Sequence, residues 1–184
     1  MANPDAANIL VASPLVTGGI LTATTGTALP TTIDGSTSGF TATGYIGEDG
    51  VSLTVDRSTE GVFAWGGAKV RVITTEHSVQ LGLSFMEVTA GNLALVFGTD
   101  NVTTVGDTTT VKLNGVDLPH FALVMDAADG DRGVRITAAD AQVVAQEDLV
   151  FVHSAATMLT VTIECFADSN GDKAKLIYST GSGS

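Results

Sequence analysis

Strict alternation is the feature that most constrains this chain. In "MLTVTIECFAD" (158–168), Leu159, Val161, Ile163 and Cys165 alternate with Thr160, Thr162 and Glu164. Successive side chains of a strand point to opposite faces, so such a run buries one face and wets the other. The period recurs in "VSLTV" (51–55), where Val51, Leu53 and Val55 oppose Ser52 and Thr54. It recurs again in "SVQLGLSFM" (78–86), where Val79, Leu81, Leu83 and Phe85 share one face. A helix cannot use this period, so the chain is committed to antiparallel sheet over much of its length.

Other segments extend the pattern. "KVRVITT" (69–75) sets Val70 and Val72 against Lys69, Arg71 and Ile73, and its closeness to the next run predicts a hairpin around Glu76 and His77. "TTVKLN" (109–114) puts Val111 and Leu113 on one face. "HFALVMDA" (120–127) is apolar throughout, which predicts a strand buried on both faces. "GVRITAA" (133–139) follows a turn at "ADGDRG", and "DAQVVAQ" (140–146) and "LVFVH" (149–153) read as shorter strands. "DSNGD" (168–172) reads as the turn of a terminal hairpin that joins the last alternating run to "KAKLIYS" (173–179).

The period changes once. In "EVTAGNLALVFG" (87–98), Leu93, Val96 and Phe97 stand at i, i+3 and i+4, with Ala90 and Ala94 alongside. Thr89 is placed to cap the start and Gly98 to end the helix at C′. Many strands and one short helix give a mainly β (α+β) class: an antiparallel β-sandwich or barrel-like fold. Residues 1–40, poor in charge and rich in Thr, Gly and Ala, read as an extended N-terminal arm with a short strand near Gly19–Thr24. Residues 41–179 form the β domain and 180–184 a flexible tail. At 184 residues, one domain is expected.

Charge narrows the functions. Twenty acidic residues face eight basic ones, for a formal net charge of −12. Nucleic-acid affinity rests on Lys and Arg neutralising phosphates, so this chain is a poor DNA binder. The single cysteine excludes an internal disulfide and reads as a buried thiol. The apolar stretch Ile9–Ala23 lacks a preceding basic region and contains Pro14 and Gly18-Gly19. It reads as neither signal peptide nor membrane span, which predicts no membrane partner and synthesis in the cytoplasm.

No catalytic, cofactor or metal site is expected. His77, His120 and His153 are isolated, without ligand spacing. "DSNGD" starts like a calcium loop but lacks the glycine and glutamate that would complete one. "DAADGD" (126–131) reads likewise as turn residues. No phosphate-binding, dinucleotide-binding or nucleophile-elbow motif occurs. "NVT" at Asn101 is a glycosylation acceptor only in a secreted chain. The carboxylates fall mainly in turns and on polar strand faces. A scattered hydrolytic pair is the enzyme reading that sequence leaves open.

One connection is unusual. "DRSTEGVFAWGGAK" (56–69) joins two strand-like runs, yet carries Phe63 and the only tryptophan, Trp65. Connections run over the solvated surface, where large aromatics gain nothing unless they dock. Either Trp65 folds back onto its own sheet or it meets another molecule.

Read as one unit, Gly44–Glu87 resembles the major tail tube proteins of long-tailed, non-contractile bacteriophages. "GYIGEDGVSLTVDRSTE", "AWGGAKVR" and "HSVQLGLSFME" carry the resemblance. "GTALP" (26–30) and "MLTVTIECFAD…GDKAKLIYS" are similar to flanking parts of the family, so the likeness covers about Gly26–Ser179. It implies a structural, non-enzymatic virion protein that assembles with itself into six-membered rings. The rings would stack as a hollow tail tube that conducts genomic DNA without binding it specifically. It implies tape-measure, tail tip and tail terminator proteins as further partners.

By position, Asp56–Lys69 corresponds to the family's long hairpin loop between stacked rings. Phe63 and Trp65 would then be buried in that interface. Asp56, Arg57, Glu60 and Lys69 would set register, and Gly66 and Gly67 would allow flexing. Glu164, on the polar face of its strand, is the candidate lumen-facing acid. The alternative within the same fold is a β-sandwich decoration or surface-binding module.

Overall fold

The computed structural model describes residues 9–15 and 19–179; the flexible tail expected at 180–184 lies outside them, as does part of the arm. Among the described residues, nine strands form one antiparallel sheet. They are β1 (Ser13–Pro14), β2 (Ile20–Thr24), β3 (Thr41–Ala42), β4 (Ile46–Phe63), β5 (Lys69–Phe85), β8 (Phe121–Asp129), β9 (Arg132–Gln146), β10 (Leu159–Cys165) and β11 (Lys175–Tyr178). The intervening β6 (Val102–Val105) and β7 (Thr108–Val111) make a separate hairpin. The main path runs β3-β2-β8-β9-β10-β5-β4, with β1 on β8 and β11 on β9.

The sheet curls so that one face closes on itself. Leu81, Leu83 and Phe85 of β5, Val161 and Ile163 of β10, Leu123 of β8 and Ile20 of β2 share one core cluster and are almost fully buried. These are the alternating positions of the sequence, and the register Val161↔Leu83 and Ile163↔Leu81 brings them side by side. The result is the sheet-rich, barrel-like body expected. The helix α1 (Ala90–Phe97) packs against the core through Val96, with Leu93 and Phe97 partly buried. Thr89 caps it by accepting a hydrogen bond from the Asn92 backbone N–H at 3.2 Å. Gly98 ends it at φ +96°, a backbone angle that favours glycine.

The strand β8 is buried on both faces, as its continuous apolar run predicts. At its Asp126 end the second face meets residues 32–35. Arg135, 4% exposed, donates to both carboxylate oxygens of buried Asp126, at 2.5 and 2.8 Å. The same guanidinium donates to the carbonyls of Thr32 (2.7 Å) and Gly35 (2.9 Å). One buried, always-charged side chain thus ties the stretch before β3 onto the β8–β9 face. Asp126, which the sequence places both in the strand run HFALVMDA and in the turn-like DAADGD, lies within the strand; the turn falls at Gly130-Asp131.

Four further expectations are corrected. There is no hairpin at Glu76 and His77, because β5 runs unbroken from Lys69 to Phe85. The polar tract TTEHS interrupts the apolar pattern but not the backbone ladder. "LVFVH" is not a strand; it follows the end of β9 and anchors through Leu149 alone. "GVRITAA" and "DAQVVAQ" are a single strand, β9. Finally, β10 and β11 do not form a hairpin. Both pair with β9, β10 at Ala141–Gln146 and β11 at Val134–Thr137. They lie along the same side of β9, and Asp168–Asp172 is an excursion between them. There Asp168 accepts from the N–H groups of Asn170 (2.8 Å) and Asp172 (3.0 Å), as Asx turns do.

Candidate assembly surface

Strands β4 and β5 pair from Ile46↔Phe85 out to Phe63↔Lys69. On its other side β5 is covered by β10 only as far as Glu164↔Gln80. Beyond that point β4 and β5 continue alone as a two-stranded ribbon. Its eight residues from Asp56 to Phe63 project roughly 25 Å, at ~3.3 Å per residue. The stretch expected as a connecting loop is therefore mostly ladder. Only Ala64–Ala68 form the turn, closed by the Ala64 N–H to the Ala68 carbonyl at 2.8 Å, with Gly67 at φ +81°.

Two bulges set which side chains face where. Thr75 and Val70 are extra residues on β5, opposite the Ser58/Thr59 and Val62/Phe63 steps. They flip the alternation, so Val72, paired with Gly61, shares a face with Lys69, paired with Phe63. Sequence parity had placed Val72 and Lys69 on opposite faces. The absence of a side chain at Gly61 makes room for Lys69. A Cβ there would lie 2.7 Å from the Lys69 Cε and 3.2 Å from the Phe63 ring. The Lys69 ammonium sits 5.9 Å from the Phe63 ring centre. The other face of the distal ribbon carries Val62 and Ile73 beside Glu60 and Arg71.

Among the described residues nothing covers this ribbon. Trp65 is 105% exposed, Phe63 61%, Val70 62% and Val72 54%. Trp65 therefore does not fold back onto its own sheet. A two-stranded ribbon with apolar side chains on both faces and no third strand is marginal in water. Exposed apolar surface of this kind marks an interaction site. Asp56, Arg57, Glu60, Phe63, Trp65, Gly66, Gly67 and Lys69 all lie on it or at its tip.

Seven of the eight basic residues divide by place, while the eighth, Lys112, lies off the ribbon without an ion pair among the described residues. Arg132, Arg135, Lys173 and Lys175 make ion pairs within the body. Arg57, Lys69 and Arg71, three of the chain's eight basic residues, have no carboxylate within 4 Å among the described residues. All three are on the ribbon.

Glu164 lies where the ribbon leaves the body. Its oxygens accept from the Ser78 hydroxyl at 2.8 and 3.0 Å, and Lys173 approaches to 3.3 Å. Its side chain is 15% exposed. Burial alone would raise its carboxyl, but hydrogen bonds from Gln80, Ser78 and Lys173 outweigh that and hold it below the usual glutamate range. Register places Asp56 and Glu76 on the same face, exposed, at a polar cleft of about 300 Å³ lined also by Ser78 and Gln80. Glu76 was missed from sequence because it was assigned to a turn.

Other polar groups explain themselves within the fold. Asn101, the glycosylation-like position, is 4% exposed. It donates to the Phe97 carbonyl at 2.7 Å, closing the helix end, and exchanges amide hydrogen bonds with Asn114 at 2.8 Å. Asn92 donates to the carbonyls of Thr43 and Glu87. His120 pairs with Asp140 at 2.6 Å, its ring against Phe166. Cys165 is fully buried, and burial with the neighbouring Glu164 charge raises its thiol to about 11. Among the described residues no three metal-ligating side chains gather, and no helix is long and apolar enough to cross a membrane.

A barrel-like body thus carries a projecting ribbon whose apolar side chains the other described residues leave exposed. A family model described as phage tail tube protein matches residues 1–182, nearly the whole chain, and the chain belongs to that family. It is a structural component of the virion tail, and self-assembly into a tube is the family's character. None of the curated proteins compared with it matches.

Proposed function

We propose that this subunit closes into hexameric rings that stack as the hollow tail tube, and that the β4–β5 ribbon is the contact between rings. One observation carries the reading: Trp65, Phe63 and Val72 are held outward on a two-stranded ribbon that the other described residues leave uncovered. Head-to-tail contacts close rings and, repeated axially, build filaments. Pairing between subunits would also cover the free outer edge of β4, which otherwise invites adventitious pairing. Asp56, Arg57, Glu60 and Lys69 would fix register at the rim, and Gly66 and Gly67 would let the tip adapt.

The polar face of β4, β5 and β10 is the surface that suits a lumen. It carries Ser52, Thr54, Ser84, Thr160 and Thr162, with Glu164 at its edge and Asp56 and Glu76 beyond. With a net charge of −12 per copy, such a wall repels phosphates, so genomic DNA slides past without adhering. Screening confines that repulsion to about 8 Å from the wall. Tape-measure, tip and terminator proteins would complete the tail, and no cofactor or catalytic step is required.

The test is negative-stain microscopy of purified protein beside a variant with Ser58–Glu76 replaced by a short turn. Hollow tubes from the first and none from the folded second are expected. A ribbon-less variant that builds normal tubes would overturn the stacking role. A protein that stays monomeric and binds a surface glycan instead would favour a decoration module.

A further inference from the structure

A head-to-tail contact needs two different patches on one chain, and the ribbon is only one of them. The geometry points to a receptor for the ribbon tip: the cleft between β1 and the start of β4, on a second copy of this chain. This rests on the stacking role proposed above and adds where the tip lands.

The cleft holds about 370 Å³. Its walls are mainly apolar: Ala12 and Pro14 on one side, Ile46 and Val51 on the other, with Met125 also lining it. Its rim is acidic. Residues 47–50 bulge out of β4, because Ile46 pairs with Phe85 and Val51 with Leu83, leaving four residues without ladder partners. Gly50 turns at φ +69°, and the bulge carries Glu48, which lines the cleft, and Asp49. Both are exposed, with no cation within 4 Å among the described residues.

The tip is the complement. Gly61–Ile73 has Trp65 and Phe63 as apolar anchors, Lys69 and Arg71 as charges, and no acid. In a chain with twenty acids and eight bases, such a segment is out of character with the rest. An aromatic tip with two free cations fits an apolar cleft with two free carboxylates. Another apolar cleft, lined by Phe97, Leu113, Val116 and Leu118, contains Lys112, which would repel Lys69 and Arg71.

Donor and acceptor sit at opposite ends of one strand. From Val51 to Phe63, β4 spans about 40 Å at ~3.3 Å per residue. A tip therefore cannot reach the cleft of its own chain, and each copy offers an acceptor at one end and a donor at the other.

Charge exchange tests this. Lys69→Glu with Arg71→Glu, and separately Glu48→Lys with Asp49→Lys, should each raise the critical concentration for tube formation at least tenfold at low salt. All four together should recover to within about threefold of the parent. These side chains are exposed, so circular dichroism should show every variant folded. A Glu48→Cys, Gly66→Cys protein should also give covalent multimers with a short bismaleimide in tubes, and neither single variant should. Parent-like assembly by Glu48→Lys with Asp49→Lys, or no rescue in the quadruple variant, would overturn the acceptor site. If the ribbon-less variant still fails to assemble, the stacking role survives that result. Normal assembly without the ribbon would remove both.

Discussion

Replacing Trp65 with alanine separates the subunit's stability from its assembly. The indole is 105% exposed and makes no contact that folding depends on. Its loss should change monomer stability by no more than ~0.5 kcal/mol, as for surface positions without special roles. The melting temperature of dilute monomer should then move by less than about 2 °C. In a docked tip the same ring would bury ~150–250 Å². At ~25 cal/mol per Å² that corresponds to about 4–6 kcal/mol before ordering costs. Alanine keeps part of that contact, and ordering the tip offsets more. A net loss of about 2–3 kcal/mol per contact is the reasonable figure for a central interface tryptophan. At tenfold per ~1.4 kcal/mol, the critical concentration for assembly should rise about 30- to 150-fold. Pelleting across a concentration series measures it, with thermal unfolding of the same preparation as the control. A lowered melting temperature with unchanged critical concentration would refute the reasoning.

Three more predictions concern the body. Arg135→Ala leaves the buried Asp126 carboxyl without its partner and frees the Thr32 and Gly35 carbonyls, so it should cost about 3–5 kcal/mol. With ~2.1 cal/mol/K per residue over 184 residues, that lowers the melting temperature by about 8–13 °C, read by calorimetry, with new proteolytic cleavage near residues 32–35. Because the folded carboxyl of Glu164 is lowered, its stabilisation is complete above the ordinary glutamate value and is lost as pH falls through the lowered one. The stability gap between the parent and Glu164→Gln, measured by denaturant unfolding, should therefore be full at pH 7 and shrink progressively as pH falls below the ordinary glutamate value of about 4.3. A gap unchanged at pH 3 would contradict it. Cys165 should resist maleimide at pH 8 in the folded protein and react fully in denaturant, since it is buried with its thiol raised to about 11.

The core was readable because it obeys period two: every predicted inward residue of β5 and β10 from Val79 to Phe85 and Leu159 to Cys165 is buried. The helix was readable because Thr89 and Gly98 bracket a change of period. What escaped were features set by partners distant in sequence. Nothing local shows that β11 pairs with β9, or that "TTEHS" stays in strand because β4 lies beside it. The polar tract looks like a turn until its neighbour is known. The bulges at Val70 and Thr75 were likewise invisible, and they invert the faces of the distal ribbon. For the assembly surface, Trp65 and Phe63 were conspicuous as aromatics in a connection. The concentration of free cations on the ribbon was not, because which bases are paired depends on the fold.

The central claim is that the ribbon joins one copy to the next. Electron microscopy of the purified protein at high concentration, beside the variant lacking Ser58–Glu76, tests it most directly. Stacked rings in a hollow tube for the parent, and at most single rings or monomers for the folded variant, is the predicted result. Tubes of equal length from both would contradict it.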